Sequence, residues 1–139
     1  MRKRRNAWRA GAGALGPRGD RGFGSVEVAI LAIAVLALLL TSIQVGFYYH
    51  ARKVAQSAAR QGVEAGRAFG ATDSDGVAQA QDFLARFGNS VRGASVSPAG
   101  STAQQIRITV HGSVATLVPG LELDVTQYAE GPVERFTNP

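Results

Sequence analysis

An uninterrupted apolar run constrains this chain more than any other feature. Every residue from 28 to 40 is alanine, valine, isoleucine or leucine, and the largely apolar stretch continues to residue 47. A helix of about 20 residues rises about 1.5 Å per residue and so spans the roughly 30 Å hydrocarbon core of a bilayer. Aromatic residues follow at positions 47–49, as is typical of the membrane–water interface. The sequence therefore predicts a membrane-spanning helix at residues 23–48.

A cleaved secretory signal is the alternative reading of the same run. Residues 28–40 would then be the apolar core of the signal. The sequence that follows has no convincing Ala-x-Ala cleavage site, and its helical pattern continues past the run. A membrane anchor in contact with lipid is therefore favoured over a removed signal.

The positive charge of the chain lies almost entirely before the apolar run. Residues 1–21 carry seven basic residues and one acidic residue, whereas the rest of the chain carries eight basic and nine acidic residues. Basic residues next to a membrane helix keep that end in the cytoplasm, so we expect the C-terminal part to lie outside. A basic arm can also bind nucleic acid, but Trp8 is its single aromatic residue. Because stacking platforms are lacking, we expect no nucleic-acid partner.

The helical pattern continues beyond the membrane segment. Residues 51–69 contain no proline, and Arg60 and Glu64 have the i,i+4 spacing that supports a helix. We therefore predict one helix from about Gly24 to about Phe69. Its second half, residues 49–70, would form a helical stalk.

A track of small residues runs along the predicted stalk. Ala58, Gly62, Gly66 and Gly70 recur every four residues, and glycine costs about 1 kcal/mol relative to alanine inside a helix. Close helix packing, against partner subunits or the protein's own outer domain, would offset that cost. We expect Gly62→Leu or Gly66→Leu to disrupt this contact, and Gly→Ala at the same sites to be much milder than Gly→Leu because one methyl group can still fit. The alternative is general glycine and alanine usage without a packing role.

The residues after the stalk predict a small extracytoplasmic α+β domain, residues 71–139. Thr72 to Asp75 resembles a capping box and opens a second, amphipathic helix that ends near Gly88. Alternating apolar residues then predict two half-buried strands, with a turn at Pro119 and Gly120 before the second. The alternating apolar positions are Ile106, Ile108 and Val110 in one strand and Leu121, Leu123 and Val125 in the other. We expect a small antiparallel sheet packed under the second helix.

The junction between the basic tail and the apolar run carries the most informative residues. Glu27 lies inside the apolar segment, where a carboxylate costs about 2.5 to 3.5 kcal/mol at the helix centre and less near its end. If a peptidase cut between Gly22 and Phe23, the new α-amino group would lie one helical turn from Glu27, on the same chain or a neighbour. Each charge would then neutralise the other. The alternative is that Glu27 reaches the headgroups and pairs with Arg21 or Arg18.

This arrangement resembles the class III signal of type IV prepilins, a basic leader ending in glycine followed by an apolar helix with glutamate at its fifth position. The segment from Gly22 to Glu27, with residues 29–31 and 51–62, is similar to the TadE-like family of tight-adherence pilus systems. The resemblance implies a type IV pilin-like fold and a leader, residues 1–22, removed by an aspartic prepilin peptidase in the cytoplasmic membrane. It also implies other pilin or pseudopilin subunits and the pilus assembly platform as partners. Major pilins of such systems are little more than the helix, so residues 71–139 favour a minor subunit.

No pattern of residues in the sequence indicates a catalytic site. The two histidines, His50 and His111, are isolated, and the chain has no cysteine, so no metal-binding pattern or thiolate is present. We therefore expect no catalytic residues, no metal and no cofactor. A membrane-anchored binding module is the competing class of function. A patterned face on the stalk would favour a filament subunit over a plain tether.

Overall fold

The computed structural model describes the backbone of residues 20–135 and the side chains of residues 24–135. Helix α1 spans Asp20–Arg67 and helix α2 spans Asp73–Phe87, followed by a 3-10 turn at Gly88–Ser90. Strands β1, β2 and β3 span Val91–Ser97, Gln105–Val114 and Leu123–Pro132. This order confirms the predicted α+β class with a long N-terminal helix. The chain divides within α1 into two units, Met1–Ala37 and Leu38–Pro139.

Helix α1 begins four residues before the predicted start at Gly24 and ends two residues before Phe69. No proline lies between Pro17 and Pro98. No residue near Gly24 therefore interrupts the hydrogen bonding of the helix, and α1 can begin before that position. At the other end, Arg67 pairs with Glu64 over 2.9 Å in the last turn, where a cation is favourable to the helix dipole. Gly70 then adopts a φ of 80° in the turn that follows, a conformation that glycine accepts without strain.

Helix α2 starts with a complete capping box. Thr72 Oγ1 accepts a hydrogen bond from the backbone N–H of Asp75 over 3.4 Å, and the Asp75 carboxylate accepts one from the backbone N–H of Thr72 over 2.7 Å. The Thr72 hydroxyl also donates to the same carboxylate oxygen over 2.7 Å. The hydrogen bonds from the Thr72 side chain and then from its backbone hold the pKa of Asp75 below its ordinary value of 3.8. The capping residues predicted from the sequence are therefore confirmed.

The three strands form one antiparallel sheet in the order β1-β2-β3. Val91 lies opposite Val114 in the first pair, and Val114 lies opposite Leu123 in the second. The β2–β3 connection therefore leaves the sheet at the Val114 end, and the β1–β2 connection leaves it at the Gln105 end. Leu121, predicted to begin the last strand, precedes β3. Its N–H donates instead to the Val118 carbonyl over 3.2 Å.

The core lies between the helices and one face of the sheet. Alternate residues of β2 point into it, and Ile106, Ile108 and Val110 are fully buried, as the alternation predicted. One cluster joins the second half of α1 to the sheet, and the other adds Ala80 of α2. The first contains Ala51, Ala55, Ala58, Ala59, Val91, Val110, Val114 and Val125, and the second contains Val63, Ala80, Ile106 and Ile108.

Candidate assembly site

The apolar segment of α1 is exposed to its surroundings. Within residues 24–43 every side chain is exposed, including Val28 at 65% and Ile33 at 69%. Water does not stabilise so large an apolar surface. Helix α1 is the one helix in the described part of the chain that is long and apolar enough to cross a membrane. It fits a single-pass membrane anchor.

Glu27 is the single charged side chain on this segment. Among residues 24–51 no other aspartate, glutamate, lysine or arginine occurs. Its neighbours Val26, Ile30 and Leu31 are 59 to 64% exposed. The two ion pairs among the described side chains are Arg67–Glu64 and Arg86–Asp82, and neither includes Glu27. The carboxylate is therefore available to a charge outside residues 24–135.

The predicted processing site lies near the start of α1. Gly22 and Phe23 are helical, two and three residues after the helix begins at Asp20. Residues 1–19 of the predicted leader lie outside the described residues. Cleavage between Gly22 and Phe23 would therefore cut the first turn of α1.

The small-residue track is covered by the protein's own outer domain along most of its length. Ala58 is fully buried. A Cβ atom on Gly62 would lie 2.8 Å from the Gly76 carbonyl oxygen and 3.1 Å from the Ala80 Cβ. Gly62 therefore lets the backbones of α1 and α2 come together, as small residues do at close helix contacts.

The two remaining positions of the track behave differently. At Gly66 a Cβ atom would collide with the Ile106 side chain and lie 3.3 Å from the Gly76 Cα, so Gly66 extends the contact. Gly70 lies after α1 ends at Arg67, and a Cβ atom there would meet nothing within 4 Å. The prediction that Gly70 packs with the track is wrong because its positive φ serves the turn.

Gln44 is a positioning residue that the sequence reading missed. Its Oε1 accepts a hydrogen bond from the Leu117 N–H over 2.9 Å, and its Nε2 donates to the Ala115 carbonyl over 3.3 Å. The residue is only 8% exposed, while its neighbours on α1 are exposed. Gln44 thus ties α1 to the β2–β3 connection. The sequence signal that could have indicated this role is an amide side chain within a largely apolar stretch.

The histidines do not form a metal centre with other residues. Within the described ranges, no group of three or more histidine, aspartate and glutamate side chains could hold a metal ion. His111 Nδ1 lies 2.6 Å from Thr126 Oγ1 on the exposed side of the sheet, and His50 is exposed on α1.

Comparison with known proteins places a family match on α1. No curated protein sequence and no solved structure matches the chain. The family model described as TadE-like protein matches residues 22–64, which include Glu27 and the buried positions Ala58 and Gly62. This confirms the resemblance seen in the sequence. Residues 22–64 are therefore similar to the TadE-like family.

Proposed function

We propose that the protein is a TadE-like minor pilin or pseudopilin that takes part in assembling a tight-adherence pilus or a related secretion machine. One observation carries the proposal: the TadE-like match at residues 22–64 coincides with an exposed apolar segment whose single charge is Glu27. The protein is then structural rather than enzymatic. Its partners are lipid, a prepilin peptidase, other pilin or pseudopilin subunits and the assembly platform.

Removal of the leader would create a positively charged partner for the Glu27 carboxylate. Removal of residues 1–22 makes Phe23 the first residue, with a free α-amino group. Glu27 is four residues further on, about 6 Å along a helix axis at about 1.5 Å per residue. In a low dielectric the two charges stabilise each other strongly. An amine on a neighbouring subunit can serve equally, which links processing to assembly.

The proposed orientation follows from charge. The seven basic residues within residues 1–21 hold the N-terminus in the cytoplasm, with residues 23–48 in the cytoplasmic membrane and residues 71–139 outside. From this location the subunit can enter a pilus. The folded domain formed by α2 and the sheet supports a minor rather than a major subunit.

A membrane-anchored binding module is the competing proposal, and the small-residue face does not separate the two. Gly62 and Gly66 contact the protein's own Gly76 and Ile106, so their pattern is explained within one chain. The assembly proposal rests instead on the family match and on Glu27.

Sequencing the mature N-terminus tests the proposal. The protein is purified from membranes of cells with and without an active prepilin peptidase. We expect a mature chain that begins at Phe23 only where the peptidase is active, and a larger precursor for Gly22→Leu. Gly24→Leu is the matched control, since a Cβ atom at Gly24 meets nothing within 4 Å. A mature protein that still carries residues 1–22 in the presence of the peptidase would falsify the prepilin assignment.

A further inference from the structure

The first seven residues of the β2–β3 connection, 115–121, form an uncharged, apolar loop, and Glu122 lies between this loop and β3. Residues 115–121 contain no acidic or basic side chain. Three of their apolar side chains are exposed: Leu117 at 46%, Val118 at 48% and Leu121 at 40%. In a domain of this size, apolar side chains that cluster at one loop indicate a contact surface rather than chance exposure.

Several polar groups of this loop are already satisfied. Gln44 bonds the Leu117 N–H and the Ala115 carbonyl. The Leu121 N–H donates to the Val118 carbonyl over 3.2 Å, and the Thr116 hydroxyl donates to the Leu121 carbonyl over 2.8 Å. Pro119 has no N–H to satisfy, and Gly120 has a φ of 80°, as the third position of a type II turn requires. Satisfied backbone groups are what a segment needs to enter the edge of a bilayer.

The hydrogen bonds between Gln44 and the loop place the loop near the proposed membrane boundary. Gln44 lies three to five residues before the aromatic residues Phe47, Tyr48 and Tyr49, about 4.5 to 7.5 Å towards the apolar segment along α1. All three rings are at least 37% exposed, as interfacial aromatic residues are. The loop backbone, bonded to Gln44, is therefore level with or deeper than these rings.

We propose that the β2–β3 loop is a second membrane contact, in which Leu117, Val118 and Leu121 insert into the outer leaflet beside α1. The occupant of this apolar surface is lipid, because Gln44 ties the loop to α1 next to the exposed Leu40 and Ile43 and because residues 115–121 carry no charge. Glu122, at the β3 end of the loop, would remain at the headgroups. Gln44 is the positioning residue that holds the loop against the helix. The inference rests on the proposed membrane location of α1.

Site-directed spin labelling tests the proposal on the full chain. The protein has no cysteine, so one introduced cysteine is labelled uniquely. Leu117→Cys and, independently, Val118→Cys are labelled in vesicles of phosphatidylethanolamine and phosphatidylglycerol at a high lipid-to-protein ratio. Collision with oxygen reports lipid, and collision with a water-soluble nickel complex reports water. Circular dichroism confirms that each variant keeps the parent's helix content.

Two further labels serve as references. Val35→Cys reports whether α1 is in lipid, and Ala99→Cys lies in the exposed β1–β2 connection at the opposite end of the sheet. We expect the oxygen-to-nickel ratio at Leu117 and Val118 to approach that at Val35 and to exceed that at Ala99 several-fold. A ratio equal to that at Ala99, with Val35 in lipid, overturns the loop contact but leaves the anchor intact. Shielding of Leu117 and Val118 from both reagents overturns it in favour of a protein neighbour such as a second copy. Exposure of Val35 to the nickel complex overturns the membrane location itself, and the proposed function with it.

Discussion

The backbones of Gly62 and Gly76 meet where α1 and α2 cross. A Cβ atom on Gly62 would lie 2.8 Å from the Gly76 carbonyl oxygen, and one on Gly76 would lie 2.7 Å from the Gly62 carbonyl oxygen. A backbone oxygen cannot rotate away as a side chain can. One methyl group at Gly62 therefore does not fit unless the two backbones shift, although alanine remains a smaller change than leucine.

Gly62→Ala should destabilise the outer domain. Overpacking costs about 1 to 3 kcal/mol, which exceeds the gain of about 1 kcal/mol from better helix propensity. The net loss should be on the order of 1 kcal/mol, and Gly62→Leu should lose more. Thermal unfolding of the full chain in detergent measures both.

Gly46→Ala is the matched control for that substitution. Gly46 is also in α1, but a Cβ atom there meets nothing within 4 Å. Its stability should be unchanged or higher by up to about 1 kcal/mol. Equal melting temperatures for the Gly46 and Gly62 alanine variants would show that the α1–α2 contact is looser than the structure indicates.

Gln44→Leu should release the β2–β3 loop from α1. The substitution leaves the Leu117 N–H and the Ala115 carbonyl without their partners, at a cost of about 1 to 3 kcal/mol for a buried group. Hydrogen exchange at the Leu117 amide should rise by about tenfold, since 1.4 kcal/mol corresponds to that factor. Gln61→Leu, at an exposed position of the same helix, should leave the exchange unchanged. Protection of Leu117 that survives Gln44→Leu would remove the role assigned to Gln44.

The capping carboxylate should make α2 sensitive to acid. Hydrogen bonds from Thr72 hold the pKa of Asp75 below 3.8 in the folded protein. The stabilisation is therefore present above pH 3.8 and is lost as the pH falls through the lowered pKa. Asp75→Asn should have a shallower loss of stability on acidification than the parent, whereas Ser74→Ala should match the parent. Parallel curves for Asp75→Asn and the parent, from thermal unfolding between pH 2.5 and 6, would contradict this.

Glu27→Gln should separate insertion from assembly. The change removes a charge from lipid, so membrane abundance should be normal or slightly higher. Incorporation into pilus complexes should fall because the amine of Phe23 loses its partner. Glu27→Asp keeps the carboxylate and should be less impaired. Normal abundance together with normal incorporation of Glu27→Gln would make Glu27 a headgroup-seeking residue only.

Topology can be measured with a pair of reporters fused after Pro139. The basic N-terminal residues predict that a reporter active only outside the cytoplasm is active there, whereas one active only in the cytoplasm is silent. Neutralising Arg2, Lys3, Arg4 and Arg5 together should weaken this preference. Activity of the cytoplasmic reporter on the parent chain contradicts the proposed orientation.

Much of the fold could be predicted because its signals are local. The apolar run, the Thr72–Asp75 capping box and the alternation through Ile106 and Ile108 each depend on residues within a few positions of one another. Periodicity and capping act over one or two turns of helix or a few strand residues. The TadE-like resemblance was visible for the same reason, since it lies within one continuous segment.

The sequence by itself determined the long helix, the capped second helix, the alternating faces of β2 and β3 and the lone charge of Glu27, but it did not predict β1, whose residues do not alternate. Only the tertiary structure decided what covers the small-residue track, that Gly70 turns away from it, and that Leu121 closes a turn instead of starting a strand. The same holds for Gln44, whose partners Ala115 and Leu117 are more than 70 positions away. The physical reason is that periodicity shows which face of an element is apolar or small. The surface that packs against that face depends on how elements distant in the sequence dock. The hydrophobic effect has no preferred direction, so the fit between the two surfaces selects which elements pack together.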